Sequence, residues 1–148
     1  MKASVAAPEK ITKTPIHVAP KHVAPKQVAP KPLPRLITSL HPMEQKAILA
    51  FTQEAVTRHG ARISSISLYG TGQRTSRGFE DIEILVLTPK EDESVEDAML
   101  DTVAEIVVET GVYLTVKCFS QAQFKAFTRA GVPMMRRIMD NRISLFES

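Results

Sequence analysis

Cysteine is nearly missing from this 148-residue chain: Cys118 stands alone, so no internal disulfide can brace the fold. Long apolar runs are missing as well. None approaches the roughly 20 residues a membrane-spanning helix needs, so no membrane partner is expected. The first residues lack the apolar core of a secretory signal, because Pro8 and Pro15 interrupt them, and a cytoplasmic location is the expectation. Acid is scarce at the start, where Glu9 stands against Lys2, Lys10, Lys13, Lys21, Lys26, Lys31 and Arg35. That head carries +6 of a total of +3, leaving −3 for the remainder. The basic character of the chain therefore belongs to the head and says little about the rest.

What is plentiful in the head is proline, in a five-residue repeat: His17-Val-Ala-Pro-Lys21, His22-Val-Ala-Pro-Lys26 and Gln27-Val-Ala-Pro-Lys31. Proline at every fifth position forbids a helix and cannot continue a sheet ladder, which predicts extended, polyproline-like chain. Residues 1–35 are accordingly expected to form a disordered Pro/Lys-rich tail, and 36–148 one domain of ordinary size. Spaced lysines can hold nucleic acid loosely through phosphates. A solvated linker is the favoured reading, with the histidines of the repeat incidental.

Within the domain, one stretch reads as a site. Ile63, Ile66 and Leu68 lead into a loop of small and polar residues, Gly70-Thr71-Gly72-Gln73-Arg74-Thr75-Ser76-Arg77-Gly78. After it, Ile82, Ile84 and Val86 fall on one face of a strand, and Asp81, Glu83, Leu85 and Leu87 on the other. Same-face neighbours on a strand lie roughly 6.5–7 Å apart along it. Two carboxylates at that spacing suit Mg²⁺, which takes one or two protein carboxylates and completes its shell with water and phosphate oxygens. Gly70 and Gly72 would let backbone N–H groups approach a phosphate, and a short helix opening after them would add its positive end.

These residues resemble the nucleotidyltransferases of the DNA polymerase beta superfamily, and most closely their minimal bacterial and archaeal members. The family pattern is an apolar residue, Gly, then Gly or Ser, a spacer of about ten residues, and Asp-apolar-(Asp or Glu)-apolar; it is matched by Tyr69-Gly70-Thr71, the spacer, and Asp81-Ile82-Glu83-Ile84. Arg74 stands where many small members carry an Arg. The likeness continues through Cys118 to Phe124 and Ile138 to Phe146, covering roughly Pro42 to Phe146. It departs from the pattern at Thr71, in place of Ser or Gly, and on the strand Val112 to Phe119. There the family usually sets a third carboxylate, and Thr115 or Lys117 would face the site instead.

The resemblance implies an α/β fold, a small mixed sheet with helices packed on it in the manner of the nucleotidyltransferase palm. It implies transfer of a nucleoside monophosphate, AMP first among them, from a nucleoside triphosphate to a hydroxyl acceptor. Asp81 and Glu83 would be the catalytic carboxylates holding Mg²⁺, and Gly70, Thr71 and Arg74 would hold the phosphates. Minimal members often work beside a small helical partner of the HEPN type, in some cases as the antitoxin that modifies it. The alternative is a nucleotidyltransferase-like binding or regulatory module that has lost catalysis, for which the missing third acid and Thr71 speak.

The flanking segments supply the helices. His41-Pro42-Met43-Glu44 predicts a helix start, with Ile48, Leu49, Phe51, Ala55 and Val56 as its apolar stripe and Gly60 as its stop. Ser94 with Asp97 predicts the cap of a long helix whose buried stripe is Val95, Met99, Val103, Ile106 and Val107, ended by Gly111. Ser120 and Gln123 repeat the capping signature before Phe124 and Phe127, Gly131-Val132-Pro133 breaks that helix, and Met134 to Met139 form another. Arg136 and Arg137 are placed to reach a phosphate or a partner, though such a pair is more often plain surface. Ile143-Ser144-Leu145 predicts a last strand, and Cys118 a buried small hydrophobe.

Overall fold

The computed structural model describes the backbone of residues 40–71, 74–75, 78–79 and 81–148, with side chains over 40–70 and 81–148. The Pro/Lys-rich head expected over 1–35 lies outside the described residues. The first helix, α1 (Pro42–His59), starts as its sequence predicts: His41 Nδ1 accepts from the Met43 N–H at 3.2 Å and Glu44 Oε1 accepts from the His41 N–H at 3.0 Å. It does not stop at a left-handed glycine. Gly60 is right-handed at φ −54° and passes the chain into a single 3₁₀ turn, Gly60–Arg62.

Strand β1 (Ser65–Thr71) follows, then a short ribbon of β2 (Arg74–Thr75) paired with β3 (Gly78–Phe79). At Arg74–Thr75 and Gly78–Phe79, the described residues of this stretch, the backbone is thus extended where a helix opening was expected. The two halves of the ribbon are separated in sequence by two residues, Ser76 and Arg77, a spacing that favours an antiparallel pair over a helical turn. Strand β4 (Ile82–Thr88) leads to α2 (Glu93–Thr110), β5 (Leu114–Ser120), α3 (Gln121–Arg129), α4 (Pro133–Asn141) and β6 (Ile143–Glu147). The four long strands form one mixed sheet in the order β5-β4-β1-β6. β4 and β5 run parallel, as a crossover through a helix permits, and the other pairs are antiparallel.

The period-two pattern of β4 divides the core. Ile82, Ile84 and Val86 join Ile66 and Leu68 of β1, Leu114 of β5, Ile48 and Phe51 of α1, and Val95, Met99 and Ile106 of α2 in a fully buried cluster. On the opposite face Leu85 and Leu87 meet Tyr69, Phe124 of α3, and Met135 and Ile138 of α4. The sheet is therefore covered on both sides, by α1 and α2 on one and by α3 and α4 on the other. Fully burying a side chain of this size stabilises by about 1.5–3 kcal/mol, which makes the first cluster the main source of stability.

Three local details differ from expectation. In α1 the buried stripe takes in Ala47 while Leu49 is exposed, because the stripe facing the sheet turns toward the 47, 48, 51 and 55 positions. The cap of α2 is Asp92, whose side chain accepts from Val95 N–H at 3.2 Å, two residues before Ser94. Asp92 is also gripped by Arg62, whose Nε and Nη2 donate to its two oxygens at 3.0 and 2.6 Å. That guanidinium, with the helix-cap bonds, holds the Asp92 carboxyl below its ordinary range. The buried stripe of α2 uses Thr102, its hydroxyl donating to Ala98 O, where Val103 and Val107 are only partly buried. Elsewhere the expected signals act as read. Gly111 ends α2 at φ +75°, and Ser120 and Gln123 cap α3 reciprocally.

Candidate acidic site at the sheet end

β1 ends where β4 and β5 begin, so Gly70 and Thr71, Glu83 and Ile82, and Leu114 and Thr115 meet at one end of the sheet. The register there is irregular. Leu68 pairs with Ile84, but Gly70 pairs with Glu83, so two steps along β1 cover one step of β4 and Tyr69 is the extra residue. The bulge sets Gly70 opposite Glu83 and leaves no room for a side chain. A Cβ on Gly70 would lie 2.5 Å from Glu83 Oε2 and 3.0 Å from Glu83 Cβ and Cγ.

Glu83 is thereby laid across the backbone of β1 with its side chain 18% exposed. Its other oxygen, Oε1, accepts from Arg137 Nη2 of α4 at 2.9 Å. The same guanidinium lies over the Tyr69 ring, 5.5 Å from its centroid, so Arg137 is held between a carboxylate and an aromatic face. Tyr69 is itself buried, and its hydroxyl has no hydrogen-bond partner among the described residues. Burial, with the Glu83 carboxylate nearby, pushes its phenol up to about 12 against the opposing influence of Arg137.

Asp81 immediately precedes β4 and is exposed. Thr115 Oγ1 lies 3.4 Å from Asp81 Oδ2, a contact at the long end of hydrogen bonding. Thr115 is also the residue paired with Glu83 in the β4–β5 ladder. It is therefore Thr115, of the two residues expected near the site on β5, that stands beside both acids. Lys117 lies opposite Leu85, one pleat further along. The cation paired with Glu83 comes from α4.

Of the sequence-predicted site residues, Asp81, Glu83 and Gly70 come together at this sheet end. Thr71 is in register with Ile82 and Arg74 with Phe79, which places their backbones at the same end and in the ribbon respectively. Their side chains lie outside the described ones. Three participants were missed or undervalued in the sequence: Tyr69, Thr115 as distinct from Lys117, and Arg137. For Arg137 the signal was its neighbour, since Ile138 at the next position is buried and fixes which way the helix faces.

Among the described residues no group of three or more His, Cys, Asp or Glu side chains converges. The donors present are two carboxylates and a threonine hydroxyl, all hard oxygens. They suit Mg²⁺ bound by one or two protein carboxylates with the rest of its shell supplied by water and phosphate. A shallow groove lined by Gly131, Pro133, Arg136, Arg137, Asp140 and Asn141 adjoins the acids through Arg137. No described helix is long and apolar enough to cross a membrane. Comparison of the chain with protein-family models, with curated protein sequences and with solved structures finds no match.

Proposed function

We propose that this chain binds a nucleoside triphosphate with Mg²⁺ and transfers its nucleoside monophosphate, AMP being the leading candidate, to a hydroxyl acceptor. The observation that carries this reading is that Asp81 and Glu83 stand at one sheet end, both beside Thr115, with Gly70 against Glu83 and a groove carrying Arg136 and Arg137 alongside. In the proposed reaction Asp81 and Glu83 hold the cation and orient the triphosphate. Thr71 and Arg74 take the terminal phosphates, and Thr115 steadies Asp81. The bound cation would supply charge stabilisation for the departing pyrophosphate. The described domain offers no second lobe for an acceptor, which suits a hydroxyl presented by another protein, such as a small helical HEPN-type partner to which this chain would be the antitoxin.

A second reading is supported by the residue beside Asp81 being Thr115. Without a third carboxylate among the described residues of the site, the acceptor hydroxyl would lack a general base, a group commonly worth about 10²–10⁴-fold in rate. The chain would then be a nucleotide-binding module that regulates its partner. Calorimetry with ATP in Mg²⁺ and in EDTA tests what the two readings share: binding is expected to be tighter with the metal, and Asp81→Asn to abolish the difference. Equal affinities in the two buffers would refute a metal-dependent nucleotide site. Incorporation of label from α-labelled ATP into a helical partner then separates enzyme from module.

A further inference from the structure

One oxygen of Glu83 carries a cation in this structure, and the other lies against the backbone of β1. Oε1 carries the Arg137 guanidinium and Oε2 is seated over Gly70. A divalent cation drawn to Glu83 therefore shares the carboxylate with a positive partner already in place on Oε1. Two cations on one carboxylate repel each other, and the pair is only partly screened, since the Glu83 side chain is 18% and the Arg137 side chain 49% exposed. Arg137 also has a second place to be. It lines the groove formed with Arg136, Asp140 and Asn141. Its planar fork of donors suits two phosphate oxygens at once, which a lysine does not match.

We infer that Arg137 is an exchangeable counter-ion of the acidic site. It neutralises Glu83 while the site holds no divalent cation, and it turns to the polyphosphate of the nucleotide once the cation has taken Glu83. The Tyr69 ring is the platform on which the guanidinium rests in the first of these positions. Metal and nucleotide then bind together more tightly than either does alone, because each relieves the other of a competing charge. Such coupling is reciprocal by necessity. The inference rests on the proposed nucleotide and metal site and assigns Arg137 its part in it.

The test measures two affinities on the full chain. Mn²⁺ alone, a hard-oxygen cation whose free concentration is read by electron paramagnetic resonance, probes the acids. The α,β-methylene analogue of ATP, which cannot transfer its nucleotide, probes the polyphosphate site in saturating Mn²⁺ by calorimetry. Arg137→Gln is expected to tighten Mn²⁺ binding about fivefold, the scale of losing a partly exposed ion pair, and to weaken the analogue at least tenfold, the scale of a lost charge-assisted bond. Arg137→Lys, which keeps the charge, should leave Mn²⁺ near the wild-type affinity while still weakening the analogue. Affinities that fall together in Arg137→Gln, or that do not move, would overturn the exchange while leaving the nucleotide site standing. No binding of Mn²⁺ or of the analogue to the wild-type chain would refute the nucleotide site itself, and the exchange with it.

Discussion

Gly70→Ala tests the packing on which the whole site depends. The backbone at Gly70 is not left-handed, positive φ among the described residues being confined to Gly111 and Gly131, so an alanine there meets no torsional penalty. Its cost is contact alone. The new methyl would sit 2.5 Å from Glu83 Oε2 and 3.0 Å from Glu83 Cβ and Cγ. The carboxylate and Cγ can swing aside by rotation about χ1, but the Cβ cannot move without moving β4. Overpacking of this kind costs about 1–3 kcal/mol. Displacing Glu83 from Arg137 adds about 0.2–1 kcal/mol, the pair being partly exposed. Against this, replacing glycine restricts the unfolded chain and returns about 0.4–1 kcal/mol. A net loss near 2 kcal/mol, at about 4–8 °C per kcal/mol for a domain of this size, lowers the midpoint of thermal unfolding by roughly 10 °C. Circular dichroism of the single mutants and of the Gly70→Ala, Glu83→Ala pair closes a double-mutant cycle. Glu83→Ala removes Oε2 and Cγ, two of the three closest contacts, so the second substitution should cost at least about 1 kcal/mol less in that background. Costs that add within about 0.5 kcal/mol would show that Glu83 is not what the glycine accommodates.

Two further outcomes follow from the same geometry. The Tyr69 phenol is raised in the fold from 10.0 to about 12, so the unfolded chain gives up its proton first as pH rises. The stability tied to the neutral phenol is whole below pH 10 and is lost as pH climbs toward 12; absorbance at 295 nm in a Tyr113→Phe background should show no Tyr69 ionisation near pH 10 while the chain stays folded, and an ordinary titration there would refute its burial. Thr115→Asp sets a carboxylate beside Asp81 and, if transfer is limited by the missing base, should raise label incorporation by about 10²-fold or more; an unchanged rate in a variant that still binds nucleotide would locate the limitation elsewhere.

How far these features could be read beforehand depended on the range of the interaction behind them. The alternation of Ile82, Ile84 and Val86 with Glu83, Leu85 and Leu87 is local and strict, and it divided the core as expected. The cap at Ser120 and Gln123 is a matter of four residues and was legible for the same reason. Asp92 displaced Ser94 as the cap of α2 because Arg62, some thirty positions away, fixes its side chain. The bulge at Tyr69 left no mark in the apolar pattern, since it is expressed only in the pairing with β4. Arg137 was visible as a cation near the end of the likeness, but its tie to Glu83 spans 54 positions and needed the α4 docking that Met135 and Ile138 provide. That the two acids and the glycine lie near one another was legible because they are close in sequence; the cation on Glu83 was not, because the fold brings it there.

The pairing of β1 with β6 bears on how the molecule is assembled. Ile66 lies opposite Phe146, 80 residues further along the chain, whereas β1 meets β4 across a much shorter loop. Closing the longer loop costs more entropy, so β6 is expected to be the last strand to join β1. Until it does, β1 is an unpaired edge, a row of free N–H and C=O groups over an apolar strand that a second chain can match. The strand that carries Gly70 is thus also the one most exposed to aggregation during synthesis, and any substitution that slows the docking of β6 will lower the yield of folded protein before it affects the stability of what has folded.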